Sequence, residues 1–112
     1  MQFIALIYNR EGAEDVDMQT LMQQYYGFTE EVKAAGVYVA GDALQPVATA
    51  TSVRIRNGET SVTDGPFAET KEMLGGYYLL ECASLDEALK WAAKIPTARY
   101  GTIEVRPVMV FE

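Results

Sequence analysis

Asp64, Glu69, Lys71 and Glu72 crowd around one aromatic anchor, Phe67, in the run Thr63-Asp64-Gly65-Pro66-Phe67-Ala68-Glu69-Thr70-Lys71-Glu72. A carboxylate held in a tight turn beside a dry aromatic ring has its proton affinity shifted by its surroundings, so Asp64 is a candidate proton acceptor. Gly65 stands before a proline, which bars the helical region to ordinary residues and forces a sharp change of direction. Pro66 lacks an N–H and favours the first turn of a helix, so the Asp64 carboxylate is also placed to cap the Phe67 N–H. Base and cap are different jobs for one side chain, and both readings stand at this point. Phe67, Glu69 and Lys71 are candidate substrate contacts; the competing reading of Glu69, Lys71 and Glu72 is a solvated, self-neutralising surface.

Arg54 and Arg106 are the second candidate pair. A guanidinium offers a planar fork for a carboxylate or phosphate, so the two arginines can hold a small anionic molecule if they face a covered recess. The simpler account pairs them with Glu81 and Glu104 across neighbouring strands. Tyr25 and Tyr26 are adjacent on a helix, where one should face a sheet and the other the helix flank. Either can touch a substrate, although aromatics at that spacing more commonly pack a core.

The absent residues exclude whole classes of chemistry. With no histidine and a single cysteine, the chain has no Ser-His-Asp or Cys-His arrangement, no imidazole shuttle and no thiolate or imidazole shell for a transition metal. No cofactor is expected. Gly75-Gly76 lacks the lysine and following helix of a phosphate-cradling loop. A formal net charge of -7, with no basic cluster interleaved with aromatics, argues against a nucleic-acid partner. The opening Met1-Gln2-Phe3-Ile4-Ala5-Leu6-Ile7-Tyr8 has no basic leader pattern and is far shorter than the roughly 20 apolar residues of a membrane span, so a cytoplasmic protein without a membrane partner is expected. Cys82, in an apolar alternation, is assigned to the core.

The elements that must position these residues follow from local pattern. At 112 residues, with 49% hydrophobic and 22% charged, the sequence from 1 to 112 reads as one domain. Residues 2 to 9 form a strand. Met18, Leu21, Met22, Tyr25, Thr29, Val32 and Ala35 recur at helical spacing, with Asp17 as N-cap and Gly36 closing the helix. Val37 to Ala43 and Thr51 to Arg56 read as strands, and Asn57-Gly58 joins the latter to Thr60 to Thr63 in a hairpin. Gly76 to Ala83 is a further strand. Ser84 and Glu87 make a capping box for a helix that Pro96 stops, and Thr102 to Phe111 is the last strand. The order predicts a ferredoxin-like α+β fold, an antiparallel sheet with two helices on one face.

Period-two alternation predicts that Val53, Ile55, Tyr78, Leu80, Cys82, Ile103 and Val105 point toward the helices, and that Arg54, Arg56, Glu81, Glu104 and Arg106 share the other face. The first strand is apolar in both phases, which a strand covered on one face only should not be. Two helices of this length shield one side. A second copy of the chain is therefore the expected cover, making a homodimer.

The Asp64-to-Glu72 run with Gly75-Gly76, the Ala50-Thr51-Ser52-Val53-Arg54 strand, the Ser84-Leu85-Asp86-Glu87-Ala88 helix start and the closing Glu104-Val105-Arg106-Pro107-Val108 resemble the DGPF-type branch of the YCII-related family over nearly the whole chain. The resemblance implies a dimeric α+β barrel. It also implies either a small-molecule enzyme of isomerase or lyase type without metal, or a non-catalytic regulatory or ligand-binding dimer linked to an alternative sigma factor, because family members are often encoded beside one. Other YCII-related branches carry a histidine on the first helix; the comparable region here has Tyr25 and Tyr26, so a histidine-dependent mechanism does not carry over.

Overall fold

A computed structural model describes residues 1–12 and 17–111. β1 (Gln2–Asn9) leads to α1 (Met18–Ala34), then β2 (Tyr38–Ala43), β3 (Thr51–Arg56), β4 (Glu59–Asp64), β5 (Met73–Glu81), α2 (Leu85–Ala92) and β6 (Thr102–Pro107). Local signals account for the boundaries. The Asp17 carboxylate accepts the Thr20 N–H at 2.7 Å, and that bond holds its pKa below the ordinary value. Gly36, at φ 74°, closes α1. At α2 Ser84 Oγ accepts the Glu87 N–H at 3.2 Å, and Glu87 Oε2 reaches back past the cap to accept the Ala83 N–H at 2.9 Å, a variant of the expected capping box.

Four strands form one antiparallel sheet in the order β2-β5-β1-β6, the ferredoxin-like arrangement once the inserted β3–β4 hairpin is set aside. Phe3, Ala5 and Ile7 of β1 and Tyr78 and Leu80 of β5 point to one face, where Phe28 and Val32 of α1, Ala88 of α2 and Ile95 bury them. Both helices cover that face. Cys82 joins the same core, and burial pushes its thiol pKa up. The expected inward set holds for Tyr78, Leu80, Cys82, Ile103 and Val105.

It fails for the hairpin. β3 and β4 pair only with each other, in a separate two-stranded sheet, and Val53, Ile55 and Val62 are each close to two-thirds exposed. Arg54 and Arg56 therefore do not share a face with Glu81, Glu104 and Arg106. The strand pattern and the turn were sound, since Asn57 and Gly58 take φ 53° and 76° as a two-residue hairpin turn requires. Alternation specifies two faces for a strand but not which sheet it joins.

Three further expectations are corrected. No helix follows Pro66, so Asp64 caps nothing: it ends β4 opposite Thr51, and the turn is instead tied by Gly65 N–H to Ala50 O at 2.7 Å and by Ser52 Oγ–H to Gly65 O at 2.8 Å. β6 stops at Pro107 instead of reaching Phe111, with Val108 N–H making one last bond to Gln2 O at 2.9 Å. The apolar stripe of α1 divides: Val32, with Phe28, is buried, whereas Met18 and Met22 are largely exposed and Leu21, Tyr25 and Thr29 half-buried. The first half of α1 stands off the sheet. Among the described residues no helix is long and apolar enough to cross a membrane.

Candidate functional site

The space under the raised half of α1 is a cleft of about 600 Å³. Its roof is Met18, Leu21, Met22 and Tyr25; its floor is Ile7, Gly41, Gly76 and Tyr78; Met73 and the segment from Leu44 to Pro46 close the sides. Glycine makes the floor possible. A Cβ on Gly41 would stand 2.7 Å from Tyr78 Cδ1, and one on Gly76 would stand 2.9 Å from Asp42 O, so neither position admits a side chain without moving a neighbour. The Tyr78 ring lies across Gly41 and meets Phe28 edge-on at 5.0 Å between centroids.

Hydroxyl groups supply the polar lining. Thr29 Oγ1 and Tyr78 Oη are 2.7 Å apart, and Tyr25 Oη and Thr97 Oγ1 form a second, shorter pair. Burial raises the pKa of Tyr78 more than its bond to Thr29 lowers it, so the phenol stays protonated and able to donate. Asp42 and Tyr77 also border the cleft, but the register pairs them with each other, one position out of phase with Gly41 and Tyr78. Their side chains meet on the far side of the sheet, where Tyr77 Oη donates to Asp42 Oδ2 at 2.9 Å. That bond raises the Tyr77 pKa.

The residues expected to form a site are dispersed. Tyr25 lines the cleft, while Tyr26 points to solvent at 70% exposure, as adjacent helix positions require. Arg54 and Phe67 come together at the hairpin, the guanidinium carbon 5.1 Å from the ring centroid, with Asp64 at the end of the same hairpin. None of the three lines the cleft, nor do Glu69 and Lys71. Arg106 sits apart from Arg54 in the four-stranded sheet, where its Nε donates to Glu104 Oε2 at 2.5 Å. That pair lies within one strand rather than across two. Glu81 instead meets the Met1 ammonium at 2.5 Å. Among the described residues no three of His, Cys, Asp and Glu converge as a metal site would need.

Thr29, Tyr38, Tyr78, Thr97 and Arg10 border the cleft and were not put forward from the sequence as site residues, Thr29 and Tyr78 having been read as packing positions only. Tyr25 and Thr29 are four apart on a helix and so share a face, which was a usable signal. Thr97 and Arg10 carried none: Thr97 lies in a short 3-10 helix, Pro96–Arg99, whose partner Tyr25 is distant in sequence, and Arg10 lies past the end of β1.

An uncharacterised protein of Rhizobium meliloti (strain 1021) is 37% identical over 118 residues, spanning 100% of this chain and 95% of that protein. Among solved structures, 5-chloro-2-hydroxyhydroquinone dehydrochlorinase from Burkholderia phenoliruptrix AC1100, in complex with 2,5-dihydroxybenzoquinone, superposes with a TM-score of 0.54 at 16% identity, covering 97% of this chain and 94% of that one. That likeness is one of fold. The model of the YCII-related domain matches residues 1–112, and the chain belongs to that family.

Proposed function

We propose that the cleft under α1 binds a small molecule with an aromatic or apolar body and oxygen substituents, and that the chain is an enzyme of isomerase or lyase type needing no metal. The observation that carries this is the pairing of apolar walls with buried hydroxyls in a cleft of about 600 Å³, the construction of small-molecule sites in general. A protonated Tyr78 suits the chemistry: it can donate to an oxygen on which negative charge develops when a neighbouring carbon loses a proton. The solved protein of the same fold is a dehydrochlorinase holding a dihydroxyquinone, which makes hydroxylated rings the first class to test.

One observation favours a second reading, a non-catalytic ligand-binding dimer. Among the described residues the carboxylates bordering the cleft already have hydrogen-bond partners: Glu11 Oε1 accepts the Val47 N–H at 2.8 Å, and Asp42 Oδ2 accepts from Tyr77 Oη on the far face. A thermal-shift screen of metabolites against the wild type and Leu21→Trp, which fills the cleft, separates these outcomes. Ligands should stabilise the wild type, by about 2.7 kcal/mol at 100 times their dissociation constant, and not the variant. Hits that stabilise both place binding elsewhere. Hits recovered chemically unchanged after prolonged incubation support the non-catalytic reading.

A further inference from the structure

We propose that Arg10 is the anion anchor of the cleft, so that the ligand carries a carboxylate or ionised phenol oxygen on its aromatic or apolar body. This deepens the small-molecule reading above and rests on it.

Among the described residues bordering the cleft, Arg10 is the one cation. It follows β1 directly, beside Asn9, whose Oδ1 accepts the Arg10 backbone N–H at 2.9 Å. Among the described residues its guanidinium has no ion pair, whereas the bordering carboxylates are engaged with the Val47 N–H and the Tyr77 hydroxyl. A cation bordering a cleft that is also lined by neutral hydroxyls sorts ligands by charge at one point and by hydrogen bonding at another. The fork geometry of arginine suits two oxygens of one carboxylate, or adjacent ring oxygens. A formal net charge of -7 makes this contact the more decisive. The protein's general field disfavours anions, so selectivity for one must come from a local cation.

Titration calorimetry with a size-matched pair, 2,5-dihydroxybenzoate and the uncharged 2,5-dihydroxybenzamide, tests the assignment in the wild type, Arg10→Gln, Arg10→Lys and Leu21→Trp. Arg10 is exposed, so its variants should melt as the wild type does. The wild type should prefer the acid by at least about tenfold, the scale of one charge-assisted hydrogen bond. Arg10→Gln should erase that preference by weakening the acid alone, and Arg10→Lys should retain part of it. An acid-to-amide ratio unchanged in Arg10→Gln, with binding still lost in Leu21→Trp, overturns the anchor and leaves the cleft reading intact. Binding that survives Leu21→Trp overturns the cleft itself. If neither probe binds at millimolar concentration, the ligand class is wrong.

Discussion

Gly41 and Tyr78 act as one unit, because the ring occupies the volume a side chain at Gly41 would need. Gly41→Ala should push Tyr78 off its edge contact with Phe28 and away from Thr29, at a cost of about 1–3 kcal/mol, the usual range for overpacking. Denaturant midpoints would read the loss, and cleft ligands should weaken in parallel. Asp64 is the contrasting case. It caps no helix and, among the described residues, no hydrogen bond holds its carboxylate, so Asp64→Asn and Asp64→Ala should both stay within about 0.5 kcal/mol of the wild type in the same melts. A penalty near 1 kcal/mol for alanine alone would restore a structural hydrogen bond to that carboxylate.

The hairpin contributes no residue to the buried core, although it carries the strand adjoining the signature run. Replacing residues 51–64 with a short Gly-Ser connection should therefore leave cooperative unfolding and far-ultraviolet dichroism of the four-stranded domain in place. Collapse of that transition would show that β3 and β4 support the sheet in a way their exposure does not suggest. The same contrast marks what the sequence made legible. Caps at Asp17 and Ser84, the glycine closing α1 and the Asn57-Gly58 turn are all set by residues within four positions of one another, and each stands as read. The hairpin's detachment and the cleft depend on long-range placement. Val53 and Ile55 look like core residues in a strand pattern, and only the pairing of β2 with β5 shows that β3 has no place in that sheet. Likewise the α1 stripe predicts burial along its length, but Leu21 and Tyr25 stay half-buried at the cleft, which Gly41 and Gly76 of β2 and β5 also border. Of the residues put forward for a site, Tyr25 is the one that borders the cleft.

As a single chain the molecule is thin and extended. Its principal extents are 47 × 44 × 18 Å, room for one layer of helix on one layer of sheet, and its radius of gyration is 15.9 Å where a compact chain of this length has about 13 Å. The far face of the sheet carries Ile4 and Leu6 of β1 opposite Leu79 and Tyr77 of β5, all half-exposed, and neither described α-helix covers it. Glu81, Glu104 and Arg106 border this apolar strip, the composition of an interface with a dry centre and a polar margin. These features support the proposal that two chains pack sheet to sheet, the arrangement the first strand's double apolar phase implies. Light scattering at micromolar concentration should give twice the chain mass for the wild type. Leu6→Glu should give a folded monomer, because a carboxylate forced between two sheets loses its water without a partner. Val62→Glu, on the hairpin outside that strip, serves as the control and should leave the mass doubled. If Leu6→Glu stays dimeric while Val62→Glu dissociates, the hairpin is the contact surface; a wild type that is monomeric throughout leaves the apolar strip facing solvent and ends the proposal.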